Sequence, residues 1–302
     1  MSKRDSNKRL ILIINRLRRN NATYNEIEKY LNEYSELDEA NYTISKRTFQ
    51  RDLADIRLIY NIDIQYNRGS KCYFIEEDDD TGVYDRIFEA VDTINALNVT
   101  ESISKYIDFE KRKPKGTEHL YGIIHALKNN IELHFLYQKF WDNEPSQRNF
   151  QPYALKDFGN RWYVIGKDLK DKRIKTFSLD RISLLQFSNQ KYKVPADFNI
   201  QKYFQYSFGI ISPDDIEPEE IVLTFDAHQG KYIKTLPIHP SQKILKDDEG
   251  ELQISLFLSP TYDFKMEVLS YGNRVKVLSP ESFVNEIKTE LTQTLGYYQI
   301  RM

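Results

Sequence analysis

Residues 161–182 hold two short runs, RWYVIG and KTFSLDRI, joined by a polar turn. In the first, Trp162 and Val164 alternate with Tyr163 and Ile165; in the second, Phe177 and Leu179 share a face with Lys175 and Arg181. A repeat of two is the period of a pleated strand, so this stretch commits the middle of the chain to antiparallel sheet. It also sets a condition, because one strand face carries two cations beside two apolar side chains. On the residues alone this is a surface strand whose Lys and Arg stems cover the rim of a core while their charged heads stay in water.

The order Trp-Tyr-aliphatic followed by basic-Thr-Phe-x-Leu-Asp-Arg-Ile resembles the signature of the WYL domain of bacterial transcription regulators, with Trp162, Tyr163 and Val164 at the naming positions. IELHFLY at 131–137 and RNFQPYAL at 148–155 extend the resemblance upstream. It implies a small Sm- or SH3-like β-barrel over residues 131–193 with a basic pocket for a nucleic acid or nucleotide-like effector. The positions that match the pocket are Tyr137, Arg148, Tyr153, Lys175 and Arg181.

At 302 residues the chain can hold two or three separate cores. Its net charge of −2 is a sum of unlike parts. Residues 1–75 hold 14 Lys and Arg against 10 Asp and Glu, residues 131–193 hold 12 against 7, and residues 201–302 hold 10 against 15. Two basic modules precede an acidic one, which points to a polyanion at the first two. The one cysteine, Cys72, excludes an internal disulfide and CxxC zinc sites. No run approaches the roughly 20 apolar residues of a membrane span, and residues 1–30 lack a cleavable apolar leader; a cytoplasmic protein is expected.

Over residues 6–20, Leu10, Ile14 and Leu17 mark one face of a first helix, with Arg9, Arg16 and Arg18 largely off it. Thr23-x-x-Glu26 is a capping box that opens a second helix, carried by Ile27 and Leu31 to about Tyr34. SELDEAN at 35–41 reads as an inserted loop. A third helix starts near Ser45, and Phe49, Leu53, Ile56 and Tyr60 place its inner face so that Lys46, Arg47, Gln50 and Arg51 lie together outside. ISKRTFQRDLADI at 44–56 resembles the recognition helix of DeoR-like winged helix-turn-helix regulators. In such folds the N-terminal residues of this helix reach base edges and phosphates. IDIQYNRGSKCYFI at 62–75 reads as a hairpin with Gly69 in its turn, a wing carrying Arg68 and Lys71. The expected duplex-DNA contacts are Ser45, Lys46, Arg47, Thr48, Gln50, Arg51, Arg68 and Lys71, within a DNA-binding domain at 1–76.

The acidic block EEDDD at 76–80 reads as a hinge. Residues 81–130 read as a helical linker and dimer contact, with Ile87, Val91, Ile94 and Leu97 in register, a further helix through Ile103 and Ile107, a basic turn KRKPKG at 111–116, and a helix opened by Thr117. Residues 192–210 resemble the connector that follows WYL domains. Residues 211–302 alternate as β-α-β-β-α-β with a closing helix, the order of a ferredoxin-like sandwich. Phe283, Ile287, Leu291 and Leu295 are expected on the core side of that helix.

The five histidines show no metal-ligand spacing, and no Walker loop or GxGxxG is present, so neither a metal nor a cofactor is expected. Asp52, Asp55 and Asp180 read as ion-pair partners. The whole is an α+β chain expected to act as a homodimeric, ligand-responsive regulator, more a repressor than an activator, and not an enzyme. The alternatives are a nucleic-acid-binding adaptor and a nucleotide-processing enzyme at the basic barrel.

Overall fold

The computed structural model describes residues 3–38, 40–60, 62–76, 116–212 and 216–298. The chain divides into two compact units, residues 1–110 and 111–302, each described by itself. The linker helices expected between 81 and 115, most of the acidic block and the first part of the basic turn lie outside the described residues.

In the first unit α1 (Lys3–Arg19), α2 (Tyr24–Leu37) and α3 (Lys46–Tyr60) precede a hairpin of β1 (Ile64–Asn67) and β2 (Cys72–Ile75). The capping box forms: Thr23 Oγ1 accepts from the Glu26 amide, and Glu26 Oε2 accepts from the Thr23 amide at 2.7 Å. Ser45 caps α3, its Oγ accepting from the Thr48 amide at 3.1 Å. Helix α2 runs to Leu37, past the expected end at Tyr34, and takes in part of the supposed loop.

The core of this unit is Leu10, Ile13, Ile14, Leu17, Ile27, Leu31, Phe49, Ile56 and Ile62. Each such side chain contributes on the order of 1.5–3 kcal/mol when fully buried. Phe49 meets Tyr24 and Tyr73 edge-on at 5.5 and 4.9 Å, which ties α3 to both α2 and the hairpin. Ala22 and Tyr73 exchange two backbone hydrogen bonds, so the chain entering α2 adds a bridge beside β2.

One expectation is corrected here. Arg9 is fully buried rather than off the apolar face. Its Nε and Nη2 donate to the two carboxylate oxygens of buried Asp52 at 2.7 and 2.9 Å. A bidentate pair inside the core locks α1 to α3, because either charge without the other would be stranded away from water.

The second unit opens with a 3-10 turn (Thr117–His119) and α4 (Leu120–Asn129), which presses Ile123 and Ala126 onto a five-stranded sheet. Its strands are β3 (Ile131–Tyr137), β4 (Ser146–Phe158), β5 (Arg161–Asp168), β6 (Arg173–Ser178) and β7 (Ile182–Lys191). They lie in the order β6-β5-β4-β3-β7, each pair antiparallel. No closed barrel is seen, in contrast to the Sm- or SH3-like expectation. β6 and β7 follow one another in the chain but sit at opposite edges, and the 3-10 turn Leu179–Arg181 carries the backbone between them. Register shifts in the β3–β7 and β4–β5 pairings bend the sheet. Phe135, Phe150 and Phe177 fill the concavity edge to face at 5.2–5.8 Å.

A short helix α5 (Ile200–Phe204), capped by Asn199, then leads into the last sheet. There β8 (Glu219–Asp226), α6 (Ala227–Thr235), β9 (Lys243–Asp247), β10 (Glu251–Leu258), α7 (Tyr262–Ser270), β11 (Val275–Ser279) and α8 (Glu281–Tyr298) follow in the expected β-α-β-β-α-β order with its closing helix. The strands stand as β11-β8-β10-β9, all antiparallel. Ile221, Leu223, Phe225, Leu252, Ile254, Leu256 and Leu258 point into one core with Phe264 and Phe283. Leu291 and Leu295, expected inside, are 50% and 58% exposed. An 18-residue helix spans about 27 Å, whereas the five-residue β11 beside it spans about 17 Å. The end of α8 therefore runs past β11.

Candidate functional site

Two cationic regions carry the residues singled out in the sequence. On α3, burial of Phe49, Asp52 and Ile56 turns one side of the helix inward. Lys46, Arg47, Gln50 and Arg51 are consequently exposed together with Ser45, and Thr48 is half-buried at the start of the helix. Among the described residues no carboxylate pairs with Lys46, Arg47 or Arg51; the Lys46 ammonium lies 5.9 Å from the centre of the Tyr24 ring. Gln50 Nε2 reaches the Tyr73 hydroxyl at 3.4 Å, which links this face to the hairpin. At the hairpin tip Asn67 Oδ1 accepts from the Gly69 and Ser70 amides, and Lys71 takes a left-handed φ of 56°. Arg68 and Lys71 are both exposed there.

The second region lies on the five-stranded sheet and is wired differently. Asp168, at the end of β5, is fully buried. Its Oδ2 accepts from Arg148 Nη1 at 3.0 Å and from Lys175 Nζ at 2.9 Å. Lys175 also pairs with Asp171. Burial pulls the Lys175 pKa down, but the hydrogen bonds to Asp168 and Asp171 outweigh it and hold the ammonium above its ordinary value. Arg148 is buried, donates through Nη2 to Ser146 Oγ at 2.9 Å, and keeps a buried Nε without a partner.

Arg181 is not on the strand of Lys175, as the period-two reading had it, but in the 3-10 turn after it. Its guanidinium carbon lies 5.1 Å from the Tyr137 ring centre and 4.8 Å from that of Phe140, and its Nε is buried without a hydrogen-bond partner. The turn is clamped from behind. Gly116 has φ 82°, and a Cβ there would sit 2.3 Å from the Asp180 amide nitrogen, so only glycine fits. Asp180 is drawn off by Arg161 at 2.8 Å and by Ser178, leaving Arg181 to the aromatic rings.

Tyr137 touches Phe177 at 4.6 Å, Arg148 stacks on the same ring at 5.7 Å, and Lys175 joins them through Asp168. The structure thus gathers Tyr137, Arg148, Lys175 and Arg181. Tyr153 belongs elsewhere, in an aromatic cluster with Tyr192 and Phe198 at 5.9 and 5.1 Å that leads to the connector. Burial raises the pKa of both Tyr137 and Tyr153. Sequence reasoning missed Asp168, Phe140 and Trp141. An acid at a strand end carries no periodic signal, and the two aromatics lie in a loop outside the alternating runs.

This fold and these sites meet two family descriptions: residues 118–187 match the WYL domain, and residues 217–295 match the WCX domain. The chain thus carries a segment that matches the WYL domain and, behind it, one that matches the WCX domain. It is similar to the DNA-binding transcriptional repressor CapW of Pseudomonas aeruginosa, at 24% identity over 35% of this chain and 44% of that protein. The match therefore spans less than half the length of this curated relative. Among solved structures it is similar to proteasome accessory factor B/C (PafBC) of Arthrobacter aurescens, at 17% identity and a TM-score of 0.35 over 94% of this chain and 45% of that one. A CRISPR Cas-related protein matches at 12% identity and a TM-score of 0.40, over 91% of this chain and 81% of that one. No described helix is long and apolar enough to cross a membrane.

Proposed function

We propose that the protein is a homodimeric DNA-binding transcription regulator, acting as a repressor, whose WYL domain binds a nucleic acid or nucleotide-like effector. The observation that carries the reading is the exposed basic face at the start of α3, where no carboxylate pairs with Lys46, Arg47 or Arg51 among the described residues, which there form three helices and a hairpin. In a winged helix-turn-helix this face enters the major groove, where Arg47, Gln50 and Arg51 would meet base edges and phosphates. Ser45, Lys46 and Thr48 would hold the backbone at the helix start, and Arg68 and Lys71 on the wing would take the neighbouring phosphates. A dimer would present two such helices to half-sites about one helical turn, or a multiple of it, apart. The effector would occupy the cluster of Tyr137, Arg148, Lys175 and Arg181, without Tyr153. Arg181, which has no carboxylate partner among the described residues, is the cation a phosphate would meet first.

The test is footprinting of the full chain on DNA from its own promoter, followed by titration at several salt concentrations. A protected site with two half-sites, bound more weakly as salt rises, supports the reading. Protection that is indifferent to sequence, or a monomer at the concentrations of binding, would overturn it. The pairing of Arg148 and Lys175 with Asp168 favours a second reading, in which the WYL domain is a structural adaptor without a ligand.

A further inference from the structure

Residues 138–145 join β3 to β4, and their first half is a braced turn. The Asp142 amide donates to the Lys139 carbonyl at 3.3 Å, Lys139 and Asp142 form an ion pair at 3.5 Å, and Gln138 donates from its side chain to the carbonyls of Lys139 and Asp142. The Gln138 amide donates to the Arg181 carbonyl at 3.1 Å, which fixes the turn beside the Arg181 segment. At the tip of this ordered turn Phe140 is 66% exposed and Trp141 is 91% exposed. The chain has two tryptophans. Trp162 packs against the core of the sheet, whereas Trp141 makes no ring contact among the described residues. Holding the largest apolar side chain in water on a fixed turn does nothing for folding. It does leave a free ring face one residue from the aromatic that covers Arg181.

We propose that Trp141 is a base-stacking residue of the effector site: it takes a nucleobase of an oligonucleotide whose backbone phosphate meets Arg181. The inference rests on the effector reading above and adds a contact and a ligand class to it. Every base has a stacking face, so such a contact tolerates sequence while demanding a base. Arg181, held between Tyr137 and Phe140 with its buried Nε unsatisfied, supplies the charge next door. A phosphate oxygen there would gain a charge-assisted hydrogen bond.

The experiment uses the full-length protein, a labelled hexathymidylate, and an abasic oligonucleotide of the same length. Both should bind the parent, the abasic strand more weakly. Trp141→Ala should weaken hexathymidylate binding by about five- to 150-fold, the span that alanine substitution of a stacking aromatic gives, and leave abasic binding unchanged. Trp141→Phe should restore most of the loss. Hexathymidylate should also quench the emission of the exposed tryptophan, and the Trp141→Phe variant should lack that quenching. Arg181→Ala should weaken both probes. If Trp141→Ala binds hexathymidylate as the parent does, while Arg181→Ala still loses it, the stacking assignment is wrong and the effector reading stands. If the parent binds neither probe, the effector reading fails and this inference with it.

Discussion

The face of α3 and the cluster around Asp168 use the same side chains in opposite ways. At the start of α3, Lys46, Arg47 and Arg51 stand in water with no carboxylate paired to them among the described residues, and their charge is available at a distance. Around Asp168 two of the three cations are already neutralised, one of them buried, and the third is laid against rings. The first arrangement suits a long polyanion that approaches through a screened field. The second suits a ligand that must fit, because it has to displace or share an existing ion pair. Basic composition alone does not distinguish them, since both segments carry an excess of Lys and Arg.

The contrast predicts unequal costs when each region is broken. Asp168→Ala should have the largest effect. It strands the buried Arg148 and leaves Lys175 with Asp171 alone, and removing one partner of a buried pair costs roughly 3–5 kcal/mol. Urea unfolding of the full chain should show a transition displaced by about that amount. A change under about 1 kcal/mol would mean that water reaches the pair and that it is no more than a surface contact. Arg9→Met is the matching test in the first unit, where Asp52 would be left buried and charged, with a loss of similar size expected.

Arg47→Ala and Arg51→Ala should behave in the reverse manner. Neither side chain is buried, so unfolding should move by less than about 0.5 kcal/mol. Operator affinity should fall by about 1–3 kcal/mol for a residue that reads a base. A phosphate contact would instead appear as a drop of about 1 in the slope of log affinity against log salt. Parent-like operator binding by both variants at physiological salt would show that this face does not meet DNA.

What was legible in the sequence follows from which forces are local. The capping box at Thr23, the inward spacing of Phe49 and Ile56, and the alternation of Leu252 to Leu258 each declare their element within a few residues, and each formed as expected. Arg9 and Asp52 are 43 residues apart, and Arg148 and Asp168 are 20 apart. Nothing local distinguishes these charges from solvated ones, so the helical pattern leaves Arg9 outside and gives no sign of Asp168. The alternation continues from Ser178 to Ile182 and so places Arg181 on a strand, yet the chain leaves the strand for a 3-10 turn there. Leu291 and Leu295 continue the helical stripe yet stay exposed, because a stripe marks a face and not what covers it.

The comparison can be sharpened with protons, because the ordinary pKa of a histidine side chain lies close to neutrality. His239 is buried in the second unit, its Nδ1 accepting from the Ser241 amide at 3.2 Å and contacting Ser241 Oγ at 2.8 Å. An Nδ1 that accepts a backbone N–H has no room for a proton, so the neutral ring with hydrogen on Nε2 is the native form. Burial is the chief cause that pushes its pKa below 6.5; a hydrogen bond with the Gln205 backbone opposes the shift and the charge of Lys156 adds to it. The sign follows from linkage. The unfolded chain binds this proton more readily than the folded one, so the stability His239 contributes is fully present above pH 6.5 and is lost as pH falls through the lower folded value. This is the smallest of the effects, one buried ring against whole ion pairs. Thermal unfolding at fixed ionic strength between pH 7.5 and pH 5 should show a decline that His239→Gln reduces, since glutamine keeps an acceptor for the Ser241 amide and cannot take a proton. An identical slope in parent and His239→Gln would remove His239 as the source and place the acid sensitivity among the remaining histidines.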